Sequence, residues 1–260
     1  MGAYVAAIWR CRYFWLSLVK MDLETRYRRS LLGLGWSLLH PIVLTVILCT
    51  VFRGIFASHT PNYALDVLTG LVVWNYLTSV AAQGCHCFLA AESYIRQAPS
   101  PLAIFPLRTA LAALVHFALA LVVVLGATGL LAKFPSLPAL VSLLPATALL
   151  FLFAWCVALL AGFANVVFRD TEHLVQVGFQ VLFYSTPIIY PAEILDGYRL
   201  GWLMRLNPLV PFIQMFREPI LKDAWPDWTT FAMAAAFVLV LSLAATAVLR
   251  SLQRRLIFYL

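Results

Sequence analysis

The stretch LVSLLPATALLFLFAWCVALLAGFANVVF, residues 140–168, decides the class of fold because it contains no charged side chain and no histidine. About 20 such apolar residues in a helix are enough to cross the hydrocarbon core of a membrane. The whole 260-residue chain is 63% hydrophobic and 11% charged, whereas soluble domains are about 45–50% apolar and about 25% charged. The sequence therefore predicts an all-α integral membrane protein. It excludes soluble binding modules, disulfide scaffolds, disordered tails and cytosolic enzymes.

Apolar runs on both sides of this stretch bring the predicted number of membrane spans to six. The spans cover residues 36–56, 64–84, 106–132, 140–168, 174–192 and 229–249. Six spans leave both termini on one side, and that side carries most of the 18 Lys and Arg residues. The positive-inside rule then predicts that both termini are cytoplasmic. The net charge of +7 follows from this topology, and we expect no nucleic-acid partner.

Residues 1–30 precede the first span, and residues 31–260 form the predicted six-span domain. Within the first segment, apolar side chains recur every three or four positions, at Tyr4, Ile8, Cys11, Trp15 and Leu18. This pattern predicts a helix that lies in the cytoplasmic membrane interface, with its aromatic rings at headgroup depth. The alternative is that the segment is the frayed start of the first span.

Residues 193–228, between the fifth and sixth spans, form the largest predicted segment outside the membrane. Prolines divide it into short pieces that mix charged with apolar residues. We expect two short amphipathic helices, at residues 200–206 and 211–221, that re-enter the membrane from the extracytoplasmic side.

The sequence lacks the motifs of several energy-coupling sites. No G-x-x-x-x-G-K-[ST] is present, so in an ATP-driven transporter ATP and Mg²⁺ would be bound by another chain, and we expect no cofactor on this one. Ion-coupled carriers hold ionisable groups within their spans. Asp66 and Arg108 are expected near span ends, where long side chains can reach the interface. Only His40, His86 and His116 are candidates at mid-span, and a lone histidine in a helix bundle is usually packed. Cys85 and Cys87 flank His86 but point to different helix faces, so no metal site is predicted.

Asp170, Glu172 and His173 form the one cluster that could indicate an enzyme, such as a membrane lipid transferase. Their i, i+2, i+3 spacing predicts instead a cap at the start of the fifth span. We therefore expect a protein that is not an enzyme.

Polar side chains follow one helix face in the second and in the fifth predicted span. Such a stripe either joins helices by hydrogen bonds or lines a hydrated path, and the sequence leaves both interpretations open. A path without charges would suit a neutral, hydroxyl-rich substrate, and flat aromatic rings suit sugar faces. The residues concerned are Asn75, Ser79, Gln83 and His86 in the second span, and Gln176, Phe179, Gln180, Phe183 and Tyr184 in the fifth.

Arg26, Arg28 and Arg29 form a basic cluster immediately before the first span. The cluster serves either as a topological anchor or as a site for an anionic lipid headgroup, such as a pyrophosphate. The sequence by itself leaves both interpretations open.

Three stretches of the chain together resemble one known family. They are TRYRRSLLG at 25–33 with WSLLHP at 36–41, FRDTEH at 168–173 with FYSTPIIYP at 183–191, and NPLVPF at 207–212 with the following Phe216-Arg217. Over nearly its whole length, the chain resembles the membrane subunit of type-2 ABC exporters for bacterial polysaccharides. That family includes O-antigen, capsule and teichoic-acid permeases, and the chain is more similar to the O-antigen and teichoic-acid branch.

The resemblance implies a homodimer that stands above two separate ABC ATPase subunits in the bacterial inner membrane. The implied substrate is a polysaccharide linked to a polyprenyl pyrophosphate, resembling a lipid-linked O-antigen. Alternatives are a permease of this type for capsule or teichoic acid, or for a small drug or haem.

The resemblance also implies roles for the residues singled out above. Arg26, Arg28 and Arg29 would form the gate through which the lipid headgroup enters, and the two polar stripes would line the channel. Coupling to the ATPase would fall to Glu92, Tyr94 and Arg96 in the stretch 92–99, and to Arg169 and Asp170. The outer gate would contain Trp202, Asn207, Phe212 and Phe216.

Overall fold

A computed structural model describes residues 2–27, 35–56, 62–97, 100–190, 207–253 and 256–260. These residues form eleven α-helices and no strand. The helices are α1 (Gly2–Arg10), α2 (Arg12–Tyr27), α3 (Gly35–Phe56), α4 (Tyr63–His86), α5 (Glu92–Gln97), α6 (Ile104–Leu131), α7 (Leu137–Val167), α8 (Thr171–Ser185), α9 (Val210–Lys222), α10 (Trp228–Leu252) and α11 (Leu256–Tyr259).

Four helices, α4, α6, α7 and α10, are long and apolar enough to cross a membrane. They correspond to the predicted second, third, fourth and sixth spans. In α3, the helix of the predicted first span, the apolar part is the shorter segment Leu38–Phe52. The number of six spans therefore remains a prediction.

Helix α8 corrects the predicted fifth span, which was placed at residues 174–192. The helix has 15 residues and ends at Ser185, so its length is about 22 Å against a hydrocarbon core of about 30 Å. Pro187 follows closely, and residues 186–190 form turns and bends instead of another helical turn. A proline disfavours helical geometry in the residue before it, which explains the early end.

Helix α4 is the centre of the bundle, since 72% of its most apolar 18-residue segment is buried. It packs against α3, α6, α7, α8 and α9. Its closest neighbour is α7, because the crossing is made of the small residues Gly84, Ala158 and Gly162. Small residues at a crossing let helix backbones approach each other closely in a membrane.

The N-terminal segment is helical as predicted, and part of its apolar face packs against the rest of the bundle. Its position in the membrane interface remains a prediction. The segment divides at Cys11 into α1 and α2, and Ile8 and Leu18 are buried in a core cluster shared with α5, α6 and α7. The Tyr4 hydroxyl accepts a hydrogen bond from the Ala103 N–H at 3.3 Å. Periodic apolar residues suit a protein surface as well as a lipid surface, so spacing could not distinguish the two. The exposed face instead carries Val5, Trp9, Tyr13 and Leu16.

Each end of the bundle contains a largely buried pair of Arg and Asp. At one end, Arg108 of α6 binds the carboxylate of Asp22 in α2 through two nitrogens. At the other, the Nε of Arg217 in α9 lies 3.0 Å from the Oδ1 of Asp66 in α4. We call these the Arg108 end and the Arg217 end. Helix α9 confirms the predicted helix at 211–221, whereas the predicted helix at 200–206 lies outside the described residues.

Candidate functional site

A cavity of about 400 Å³ between α3, α4 and α8 brings the two predicted polar stripes together. We call it the α4–α8 cavity. Of the residues in the two predicted stripes, Ser79, Gln83 and His86 do not line it. Those that line it are Asn75 from α4 and Gln176, Phe179, Gln180, Phe183 and Tyr184 from α8.

Aromatic rings form one continuous cluster along the α4–α8 cavity. The Trp74 ring lies 5.7 Å from the Phe179 ring and 5.2 Å from the Phe183 ring, measured between centroids. The Phe183 and Tyr184 rings are 5.5 Å apart and nearly perpendicular. The sequence analysis did not predict Trp74 as a lining residue. Its position directly before Asn75, at the edge of the polar stripe, could have indicated this role.

A larger chamber of about 650 Å³ lies on the other side of α3, between α3, α4 and α6. We call it the α4–α6 chamber. Ser79 lines this chamber, and Asn75 and Thr78 line both the chamber and the α4–α8 cavity. His40 of α3 also lines both, and its side chain is exposed. The prediction that the mid-span histidines are packed is therefore wrong for His40.

A third cavity, of about 400 Å³, continues the α4 stripe towards the Arg108 end. Gln83 and His86 line it, together with the paired Asp22 and Arg108. The four polar positions of the α4 stripe thus follow three neighbouring cavities in order. The helical period predicted that these four side chains share one face of α4, and the structure shows that this face borders the three cavities.

The hydrogen bonds of Gln83 and Gln176 stay within their own helices, and the lining of a path by the stripes remains a prediction. The Gln83 Nε2 donates to the Ser79 Oγ at 2.6 Å within α4, and the Gln176 Nε2 donates to the Glu172 Oε1 at 3.3 Å within α8. The Nδ2 of Asn75 is buried and has no acceptor among the described residues. A buried donor without a partner costs about 1–3 kcal/mol unless water or a ligand accepts its hydrogen bond.

One polar contact joins α4 and α8 at the Arg108 end. The Nε2 of His86 lies 3.0 Å from the Oε2 of Glu172, so the last turn of α4 meets the first turn of α8. The predicted cap at this place is wrong for Asp170, which occupies the N-cap position without a side-chain hydrogen bond. Instead, the Thr171 Oγ1 donates to the Phe168 carbonyl at 2.6 Å.

The predicted coupling residues lie on the surface near the Arg108 end. The Arg96 Nε donates to the Glu92 Oε1 at 2.8 Å on the exposed side of α5. Tyr94 packs edge-on against Phe14 of α2, with ring centroids 5.8 Å apart. Arg169 and Asp170 are exposed in the turn between α7 and α8. Contact with an ATPase remains a prediction for all five residues.

The described residues of the predicted outer gate are buried. Phe212 packs against Phe153, and Phe216 packs against Phe117, at centroid distances of 4.6 and 5.3 Å. Asn207 holds local structure, since its Nδ2 donates to the Thr186 Oγ1 at 2.7 Å. None of the three lines a cavity described above, and their role in gating remains a prediction.

The remaining predicted site residues fall where the structure gives no side-chain position. Trp202, Arg28 and Arg29 lie outside the described residues. Arg26 belongs to the last turn of α2. The assignment of these arginines to a lipid headgroup therefore remains a prediction.

The chain is similar to permeases of bacterial export systems. It is 28% identical over 202 residues to an O-antigen export system permease protein RfbA of Klebsiella pneumoniae, covering 77% of each chain. It is 25% identical over 249 residues to the RfbA permease protein of Myxococcus xanthus, covering 95% of each chain. It is 20% identical over 227 residues to the polysialic acid transport protein KpsM of Escherichia coli, covering 86% of this chain and 87% of that one.

A family model for the ABC-2 type transporter matches residues 13–221. This range contains helices α3 to α8 and nearly all of α9, and with them the three cavities and both polar stripes. The chain belongs to the ABC-2 type transporter family.

Proposed function

We propose that the chain is the membrane-spanning permease of an exporter that moves an O-antigen-like polysaccharide, linked to polyprenyl pyrophosphate, across the bacterial inner membrane. Family membership and the names of the relatives from Klebsiella and Myxococcus support a permease of this kind. The single observation that carries the choice of substrate is the convergence of amide and aromatic side chains on the α4–α8 cavity.

The chemistry of this cavity fits a neutral sugar polymer. Asn75, Gln176 and Gln180 offer amide donors and acceptors without a formal charge. The rings of Trp74 and Phe183 offer flat faces to the C–H edges of sugar rings. A permease for an apolar drug would have little use for these amides, because burying them against an apolar ligand leaves their hydrogen bonds unmade.

A charged polymer fits the cavity less well. Phosphate-linked teichoic acids and acidic capsules carry an anion on each repeat, and such groups are usually met by Arg or Lys. No Arg or Lys is among the residues that line the α4–α8 cavity. This difference favours the O-antigen-like substrate over the capsule and teichoic-acid alternatives.

Energy for transport would come from two ATPase subunits that bind ATP and Mg²⁺. The sequence contains no phosphate-binding loop of its own. Helix α5 is a suitable dock, because Ile95 anchors it in the core while Glu92 and Arg96 remain accessible. The turn with Arg169 and Asp170 would be a second contact at the same end.

The assembly would contain a second copy of the chain, and the two copies would enclose the substrate path. The exposed side of α8 carries Leu174, Val177 and Val181 next to the polar residues of the cavity, and such a face suits a partner helix. The excess of basic residues near the chain termini supports a cytoplasmic position for the Arg108 end. The Arg217 end would then face outwards.

The test replaces cavity amides by apolar residues of similar size. The double change Asn75→Leu and Gln180→Leu should lower polysaccharide export in the assembled transporter several-fold while membrane insertion is unchanged, since the path loses hydrogen bonds to the sugar. Thr69→Val is the matched control, because Thr69 is buried in α4 but its hydroxyl donates only to the Leu65 carbonyl. Normal export by the double variant would show that the cavity is not the substrate path.

A further inference from the structure

The guanidinium of Arg217 binds two other segments of the chain at once. Its Nη1 donates to the Pro187 carbonyl at 2.6 Å, and its Nη2 donates to the Ile188 carbonyl at 3.1 Å. Nη2 and Nε also donate to the Asp66 carbonyl, at 3.2 and 3.3 Å, in addition to the contact with the Asp66 carboxylate. The side chain is 14% exposed. One residue of α9 thus holds both the start of α4 and the turn that follows α8.

The turn after α8 is fixed by two further hydrogen bonds from its neighbours. The Tyr63 hydroxyl of α4 donates to the Ile189 carbonyl at 2.7 Å. The Asn207 amide donates to the Thr186 hydroxyl, also at 2.7 Å. Without Arg217, however, the turn has only its contact with Asn207 to connect it to the segment that leads into α9. Among the described residues of α9, Arg217 is therefore the one whose side chain hydrogen-bonds both to α4 and to the turn after α8.

Burial makes this connection cooperative. Burial lowers the pKa of the Arg217 guanidinium, and the neighbouring Asp66 carboxylate raises it again. A buried charge that loses its partners is strongly destabilised, so the bonds to Asp66, Pro187 and Ile188 should break together and not one at a time. We therefore expect these bonds to be either all made, as in this structure, or all lost.

We propose that Arg217 is a positioning residue that latches α9 onto both walls of the α4–α8 cavity and so keeps the outer end of the path closed between transport cycles. The inference rests on the proposed function, since it assigns the closed end to the side from which the polysaccharide leaves. Release of the latch would free the end of α8, with Phe183 and Tyr184, at the same time as α9 moves.

Gly70 supplies a way to disturb the latch without changing any charge. A β-carbon at this position would lie 3.0 Å from the Arg217 Nη2 and 3.3 Å from the Ile188 Cγ2. Gly70→Ala should therefore displace the guanidinium by a few tenths of an ångström and loosen its bonds. Arg217→Lys is the stronger change, because a single ammonium group cannot reproduce the planar fork that reaches both Asp66 and the turn.

The test measures how readily the last residue of α8 is reached from outside. Ser185→Cys is introduced, and intact cells that express the transporter are treated with a membrane-impermeant thiol reagent. We expect Arg217→Lys to raise the labelling rate at position 185 about tenfold, which corresponds to about 1.4 kcal/mol in the closed-to-open equilibrium. Gly70→Ala should also raise the labelling rate, by a smaller factor. It replaces Arg217→Lys in the test if the Arg217 variant does not reach the membrane.

Arg108→Lys is the matched control, because the Arg108 side chain is as buried as that of Arg217 and pairs with Asp22 at the opposite end. It removes the same kind of interaction but should leave labelling at position 185 unchanged. Equal labelling in the Arg217 and Arg108 variants would overturn the latch and leave Arg217 as one more structural ion pair. The measurement needs no polysaccharide, so the latch can hold even if the cavity variants disprove the proposed substrate.

Discussion

Gly84 of α4 lies so close to Ala158 of α7 that a β-carbon at position 84 would be 2.6 Å from the Ala158 Cα and 2.9 Å from its Cβ. These are backbone and near-backbone atoms, which cannot move aside as a flexible side chain can. We expect Gly84→Ala to push α4 and α7 apart and to destabilise the protein by about 1–3 kcal/mol, as overpacking does. Thermal unfolding of the purified chain in detergent measures the change.

Gly126→Ala in α6 is the control for this prediction. A β-carbon at position 126 would have no atom within 4 Å, and alanine favours a helix over glycine by about 1 kcal/mol. This variant should unfold at the same temperature as the parent or slightly higher. A similar loss of stability in both variants would mean that the crossing of α4 and α7 does not depend on the small residue.

Arg96→Glu should weaken the association of the chain with its ATPase subunits and leave folding intact. Arg96 and Glu92 form an exposed pair on α5, and such a pair adds at most about 1 kcal/mol to stability. The change should therefore act mainly on the surface charge offered to a partner, and co-purification of the ATPase subunit measures it.

The double variant Glu92→Arg with Arg96→Glu separates the two possible effects. It restores a pair of opposite charges within α5 but inverts the order in which they face the partner. If co-purification returns to normal, the internal pair matters and the docking prediction for Arg96 is wrong.

Replacing Arg26, Arg28 and Arg29 together by Lys should preserve topology and impair export. Lysine keeps the positive charge that orients the first span, but it loses the bidentate geometry with which arginine binds phosphate oxygens. Export and lipid-stimulated ATPase activity of the assembled transporter are the readouts. Normal export would show that the cluster is only an anchor, and inverted insertion would show that the two roles are not separable.

Asp223 should make the junction between α9 and the loop after α6 sensitive to acid. Its Oδ1 accepts the Ser136 N–H at 2.6 Å, and its pKa is lowered by hydrogen bonds from Ser136 and further by Lys133. A pKa below the ordinary value of about 3.9 means that the stabilisation is complete above that pH and is lost as the pH falls through the lowered pKa.

The measurement is the unfolding temperature as a function of pH in the parent and in Asp223→Asn. Asparagine accepts the same hydrogen bond without titrating, and it tolerates the left-handed backbone at this position, where φ is 52°. The parent should lose more stability than the variant below about pH 4. Identical curves would exclude a contribution of Asp223 to acid sensitivity.

The fold and the candidate cavity could be predicted from the sequence to the extent that they depend on local spacing. The 3.6-residue period fixes which side chains share a helix face, so the sequence could assign Asn75 to a polar face of α4 and Gln180 to a polar face of α8. The structure adds that these two faces border the same cavity. The early end of α8 was not predicted, because the apolar run continues past Ser185 and hydrophobicity alone does not show that the helix ends before Pro187.

Long-range pairs could not be predicted in the same way. Arg217 and Asp66 are 151 positions apart, and no property of either residue identifies the other as its partner. Asp66 and Arg108 were expected only to lie near span ends, where charged side chains reach the interface. Instead each forms a largely buried ion pair, because α9 and α2 fold against the ends of the bundle.

The packing of α1 and α2 has a consequence for the order of events during synthesis. The face with Ile8 and Leu18 is completed by Ile95, Leu107 and Phe163, residues that the ribosome adds long after the N-terminal helices have emerged. Until then, the membrane surface is the nearest apolar environment for that face. The N-terminal helices would therefore begin on lipid and transfer to protein once α7 has been inserted, so a mutation in α7 can trap the first helices of the chain.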